Sequence, residues 1–433
     1  MHTFFAPAAG GENHRSIPVP ATASFLRKLL AFSGPGYLVA VGYMDPGNWA
    51  VDLSGGSAFG YELLTVVLLS SVIAVLLQHL AAKLGLVTGR DLAQLCREWY
   101  PKPATLFLWL MAELMVIACD LAEVIGSAIA LNLLFGLPIL FGIVLTGGDV
   151  LLLLFLQNRG YRWLELFVIA LIALIAAGFG FELFLSHPAL AALFAGFVPH
   201  TSIITNPNML YLSLGIVGAT VMPHNLFLHS STVQTRAFEG DTRGKREAVK
   251  FATIDAAVAL AIAFFVNAAI LTTAAAVFFA SGNRNVTDIS QAYHLLAPIL
   301  GTGLAGTVFA VSLLVSGQNS TLTGTLAGQI IMEGFLRLRI APWLRRVITR
   351  LFAIVPALVV VVFFQQWGLG RLLLLSQVIL SIELPFVVVP LVLFTGSRKQ
   401  MGEFVNSWSV SAISGIVAAL LIALNLWLIY TSL

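Results

Sequence analysis

The sequence predicts an all-α protein that crosses a membrane many times, and three observations carry that expectation. Charged residues are only 10% of the 433 and hydrophobic ones 59%; soluble domains carry about 25% charged residues, so lipid is the solvent for most of this chain. Apolar runs of the ~20 residues that a bilayer core requires recur from end to end. The basic residues fall in alternate loops between those runs, hence on one side, as the positive-inside rule demands. Runs such as LLTVVLLSSVIAVLL are apolar on every side and lack the period-two alternation of a barrel strand.

Eleven spans are read, at 28–54, 61–84, 103–133, 136–156, 162–186, 206–235, 249–281, 296–336, 343–366, 371–396 and 407–431. Residues 1–24 read as a short, mobile cytoplasmic tail without the pattern of a cleaved signal peptide, and 25–433 as one transmembrane domain. With the N-terminus in the cytoplasm, 21 of the 23 basic residues face that side, leaving Arg284 and Arg371 outside, and the C-terminus is extracytoplasmic. The longest loop on the basic side, QTRAFEGDTRGKREAVK, reads as a solvated connector. Cys96 and Cys119 make neither a disulfide framework nor a zinc cluster; Cys119, inside an apolar run, reads as a small buried hydrophobe.

Two spans carry a break. Span 1 holds Asp45-Pro46-Gly47-Asn48 and span 6 holds Met222-Pro223-His224-Asn225. A mid-span proline removes a backbone donor and clashes with the preceding turn, and a charge at bilayer depth costs at least ~2.5 kcal/mol on insertion scales. A single kink is more often structural than functional. Here Pro46 matches Pro223 and Asn48 matches Asn225, five spans apart, which is the sign of an inverted-repeat transporter with its site at the midplane. Spans 1–5 (25–200) and 6–10 (201–400) are then the repeats, with span 11 (401–433) an addition.

Unwinding frees carbonyl oxygens; Asp45 adds a negative oxygen, Asn48 a neutral one and Met222 a thioether sulfur. Mg²⁺ and Ca²⁺ prefer all-oxygen shells, while soft sulfur suits transition metals. The mixture points to ions such as Mn²⁺ or Fe²⁺ as cargo, with no resident cofactor. Glu113, Asp120 and Glu123 fall within an arc of about 80° on span 3, so they face the interior or a wet passage, where they pair, relay protons or serve packing. His224 and His229 are proton-handling candidates, too far around the helix, at about 140° apart, to chelate one ion well. Arg345, Arg346 and Arg350 open span 9; their plain role is anchoring at the basic face, and the alternative, with Arg350 deepest, is partnership with the span 3 acids.

DPGN and MPHN, with DLAEVIGSAIALNLLFG, SGQNSTLTGTLAGQIIMEGF and LLLLSQVILSIELPF, closely resemble the Nramp family of proton-coupled divalent metal transporters, over nearly all the chain after residue 30. The resemblance implies a LeuT-like fold and proton-driven import of metal into the cytoplasm across a plasma membrane, with a bacterial inner membrane expected. It puts Asp45, Asn48 and Met222 on the metal, with the carbonyl of Ala219 in some states and Gln377 as the site closes. Gly42 stands where the family has an alanine carbonyl. Thr220 and Asn267 match outer-gate positions, and span 3 carries the proton route away from Asp45. Glu383 departs from the family, which usually has an uncharged residue there.

The implied partners are divalent metal ions, protons and the lipid bilayer, with no nucleic acid and no obligatory protein. Two other readings are weaker. A sodium-coupled amino-acid carrier of the same fold would need an anion pocket, which Asp45 and Met222 make poorly. An intramembrane metal-dependent enzyme would need a nucleophile with its base, or a full hydrolase ligand set, and no such spacing occurs.

Overall fold

A computed structural model describes residues 15–19, 24–148, 161–338, 340–364 and 367–432. Apart from one short strand pair, its ordered elements are helices. Span 1 comprises Phe25–Phe32, Pro35–Gly42 and Pro46–Phe59; the prolines stand at first-turn positions, where the missing N–H costs nothing. The chain is thus interrupted at Ser33–Gly34 as well as at the expected break. Spans 2 and 3 are Leu64–Thr88 and Lys102–Phe135, span 5 is Tyr161–Ser186, and span 6 is Pro207–Val221 with Pro223–Thr232. Span 7 is Thr242–Ala274 with a π-helical turn Ala275–Phe279, and spans 8 to 11 are Gly303–Leu336, Pro342–Phe364, Trp367–Thr395 and Trp408–Ser432. Span 4 begins at Ile139–Leu145 and a 3-10 turn, Thr146–Gly148; residues 149–156, with Arg159, lie outside the described residues, as does Arg339.

Seven of these helices are long and apolar enough to cross a membrane on composition alone. The other four of the eleven have visible reasons to miss that test. Span 1 is broken, span 4 is only partly described, span 8 is rich in Ser, Thr, Asn and Gln, and span 9 opens on a basic turn. Span 6 is the most deeply buried of the seven and span 11 the most exposed. Span 8 packs most extensively on span 3, and span 10 on the first half of span 6. Exposed apolar side chains cover the rim, as a lipid-facing surface requires.

Several boundaries differ from the sequence reading. Span 8 starts at Gly303, not 296: Ile289–Leu300 is a separate helix that ends at Gly301, whose φ of +71° stops the winding. Hydrophobicity alone could not separate them, because the apolar run continues through the turn. Span 7 starts at residue 242, so half of the supposed connector is helix, and Arg236 within it is fully buried. The short helix Leu92–Trp99 is not among the expected elements, although Asp91 and Gln94 form a complete capping box over its first turn. The tail is not wholly mobile: Ile17–Pro18 pairs in parallel with Arg236–Ala237, and Arg15 N donates to Gln234 O at 3.0 Å.

Candidate functional site

The two breaks face each other in the centre of the helix bundle. Asp45 caps the second half of span 1, its Oδ1 accepting from Asn48 N at 2.8 Å. Met222 is the residue between the halves of span 6, held at φ +40° and fully buried. Such a backbone is unusual for a side chain with a Cβ and ends the first half of the helix there.

Around the break in span 1, the freed carbonyls are claimed by side chains of spans 1, 7 and 8. Tyr43 O accepts from Asn267 Nδ2 at 2.8 Å, and Met44 O from Trp49 Nε1 at 3.2 Å and Ser316 Oγ at 2.5 Å. Asn225 donates to Val39 O at 3.2 Å, tying span 6 to the first half of span 1.

Asn48 holds the centre. Its Nδ2 donates to Asp45 Oδ1 at 2.7 Å, Ala219 O at 3.0 Å and Gly42 O at 3.2 Å. Its Oδ1 accepts from Asn267 at 3.4 Å. One point is therefore enclosed by a carboxylate and two carbonyls, an arrangement that suits positive charge. Half a turn of the Asn48 amide would replace its donor with an acceptor and leave four oxygens converging there. Asp45 Oδ2, Gln377 Oε1 and Thr220 Oγ1 are buried beside the breaks and accept or donate no hydrogen bond in the protein. Buried polar atoms are rarely left so, and these three leave oxygen acceptors free at the breaks. Gln377 reaches the site only because residue 47 is glycine: a Cβ there would lie 2.0 Å from Gln377 Nε2. Among the described residues no three His, Cys, Asp or Glu side chains are arranged to hold a metal ion between them. The polar groups at this point are one carboxylate with amides and carbonyls, and Met222 stands three residues beyond Ala219 at the break of span 6.

Span 3 carries the second cluster. Glu123 accepts from Ser320 at 2.9 Å and Thr321 at 3.0 Å, and Arg350 lies 3.7 Å from it. Arg350 also donates to Thr321 Oγ1 at 2.8 Å and to Asp120 O at 3.2 Å, and is 2% exposed. Arg345 pairs with Glu113 at 2.9 Å. Two of the three span 9 arginines thus lie buried on the span 3 acids, beyond what anchoring needs. Cys119, read as a bland hydrophobe, sits between Glu123 Oε1 at 3.5 Å and His224 Nε2 at 3.9 Å. His224 faces this cluster. His229 points elsewhere: its Nδ1 lies 3.0 Å from Gln78 Oε1, Gln78 donates to Tyr43 OH at 2.9 Å, and Tyr43 OH donates to Val221 O at 3.3 Å. The sequence reading missed Tyr43, Gln78, Ser316 and Cys119; nothing but neighbourhood to the breaks could have flagged the first.

At the base of span 1, Arg236 and Glu165 form a fully buried ion pair at 2.8 Å, and Arg236 also donates to Ser33 O at 3.0 Å. Asp255 accepts from Gly36 N at 2.7 Å. Glu383, on span 10, is 2% exposed and neither carboxyl oxygen has a hydrogen bond in the protein.

Two helices broken at equivalent places, five spans apart and enclosing a polar point at mid-bundle, define an inverted-repeat secondary transporter. The family profile described as Natural resistance-associated macrophage protein-like matches residues 36–431. The divalent metal cation transporter MntH of Nostoc sp. (strain PCC 7120) is 54% identical over 422 residues, covering 98% of this chain and 96% of that one. The crystal structure of the Eremococcus coleocola manganese transporter, in complex with an aromatic bis-isothiourea substituted compound, superposes with a TM-score of 0.89 at 42% identity, over 96% of this chain and 89% of that one. A nucleobase-cation-symport-1 family transporter in a closed conformation shares the fold, with a TM-score of 0.65 at 14% identity, over 97% and 93%. The chain belongs to the Nramp family. It is a multi-pass membrane transporter of LeuT-like fold and not an enzyme.

Proposed function

We propose that this protein imports divalent transition-metal ions, Mn²⁺ or Fe²⁺, by alternating access and with proton coupling. The observation that carries the reading is the point at Asn48, enclosed by Asp45 Oδ1, Gly42 O and Ala219 O, with Met222 at the facing break three residues beyond Ala219. The names of relatives agree, being a divalent metal cation transporter and a manganese transporter. In this scheme Asp45 supplies charge and Asn48, Gly42 and Ala219 supply neutral oxygens. Met222 supplies the softness that disfavours Ca²⁺ and Mg²⁺. Gln377 completes the shell as span 10 closes, and Thr220 and Asn267 act at the outer gate.

Protons leave Asp45 through His224 toward Asp120 and Glu123, with Glu113, Arg345 and Arg350 at the exit. The spacing of Cys119, His224 and Glu123 supports such a route. His229 would act through Gln78 and Tyr43 on the break itself. The protein would work as one transmembrane unit in a plasma membrane, with the N-terminus cytoplasmic, without a cofactor, nucleic acid or obligatory protein partner.

Uptake of Mn²⁺ into proteoliposomes, with internal pH recorded together and with Na⁺ and alanine as controls, tests the reading. Metal uptake with internal acidification is expected, and both are expected to vanish in Asp45→Ala. Full metal uptake by that variant would sink the scheme.

A further inference from the structure

Away from the transport site, the start of span 1 and the start of span 7 enclose a pocket of about 380 Å³. Its polar wall is Lys28, Arg243, Arg246 and Lys250 around one carboxylate, Glu247: four cations to one anion. Lys28 is taken up by Glu247 at 2.7 Å. Arg246 reaches Glu403 at 3.6 Å with both side chains about two-thirds exposed, a contact worth little in water. Arg243, Arg246 and Lys250 stand on one face of the helix, within an arc of about 60° at 100° per residue. That face lies near a helix N-terminus, whose dipole favours anions.

The apolar wall is aromatic. Phe25 packs on Phe251 with ring centroids 5.2 Å apart, and Lys250 Nζ lies 5.9 Å from the Phe25 ring centre. On the same short helix Phe25, Leu26 and Leu30 are 55%, 63% and 55% exposed. Depth follows from length. Span 7 with its π turn has 38 residues, which at 1.5 Å each is about 57 Å against a hydrocarbon core of ~30 Å. Its apolar run begins at Phe251. The turns carrying Arg243, Arg246 and Lys250 precede that run and so lie on the polar side of its start, with the exposed side chains of Phe25, Leu26 and Leu30 on the neighbouring short helix.

A surplus of cations on that polar side, joined to an exposed apolar face, complements a molecule with an anionic head and an acyl tail. We infer that this pocket binds the headgroup of an anionic phospholipid, in the leaflet on the basic side of the protein. The phosphate lies among Arg243, Arg246 and Lys250, and the acyl chains lie along Phe25, Leu26 and Leu30. The bound lipid bridges the base of span 1 to span 7. This site does not depend on which ion the transporter carries.

The test is native mass spectrometry of the full chain in a neutral detergent. Dioleoyl phosphatidylglycerol is compared with dioleoyl phosphatidylcholine, and inorganic phosphate is the competitor. Phosphatidylglycerol adducts are expected at about tenfold lower lipid concentration than phosphatidylcholine adducts. The variant R243Q/R246Q/K250Q is expected to lose that preference, while R398Q/K399Q, at another exposed basic turn, keeps it. Equal binding of the two lipids overturns the inference, as does a preference that survives the triple substitution or that both variants lose alike. Displacement by inorganic phosphate at equal concentration would mark a free-anion site and overturn it too.

Discussion

Gly126 on span 3 is where the broken helix of span 1 rests, and Gly126→Ala tests that contact. A Cβ at position 126 would lie 2.2 Å from Pro46 Cβ and 2.4 Å from its Cγ. Ordinary contact begins at 3.4 Å, so span 3 and the break must part by about 1.2 Å. A flexible side chain could swing away, but a proline ring opening a helix cannot. Overpacking of this kind costs about 1–3 kcal/mol. If that cost falls on the metal-binding conformation, the apparent affinity for Mn²⁺ weakens by about 5- to 150-fold. Gly180→Ala on span 5 is the control, since nothing lies within 4 Å of the added methyl. It is expected to leave uptake unchanged and to stabilise the helix by up to ~1 kcal/mol. Concentration-dependent uptake in proteoliposomes and thermal unfolding in detergent read both variants. Uptake and thermal midpoint for Gly126→Ala no worse than for Gly180→Ala would refute the placement of the break against span 3.

Three further predictions concern single side chains. Met222→Ala is expected to keep Mn²⁺ uptake measurable while raising competition by Ca²⁺ by about tenfold or more, because the remaining donors are all oxygen; unchanged competition would remove the sulfur from the account. Arg236→Met is expected to destabilise the protein toward the lower end of ~3–5 kcal/mol, because Arg162 still holds Glu165 at 2.9 Å; a thermal midpoint equal to wild type would contradict a buried pair at the base of span 1. Glu383→Leu is expected to keep uptake within about twofold and to raise the thermal midpoint, since a buried polar group without partners costs about 1–3 kcal/mol; a lost uptake would give Glu383 a role that its surroundings do not suggest.

The breaks were legible because proline, glycine and a charge in an apolar run have few benign explanations. The same logic picked out Asp45 and Asn48, which the structure joins directly. Span number and order followed from apolar length and the sorting of basic residues. What stayed hidden depends on which helix faces which. Tyr43 and Gln78 meet across 35 residues, and Cys119 and His224 across 105; no local pattern encodes such pairings. Arg236 looked like one more basic loop residue, and only its partner Glu165 explains its burial. The false start of span 8 has the opposite cause: hydrophobicity registers depth in lipid and is blind to a glycine turn within an apolar run.

The most direct test of the central claim is anomalous diffraction at the manganese edge, from crystals of this protein soaked in Mn²⁺. One strong peak is expected between the two breaks, bounded by Asp45, Asn48 and Met222, and it disappears in Asp45→Ala. A peak elsewhere in the protein, or one that persists undiminished without the Asp45 carboxylate, would contradict that claim.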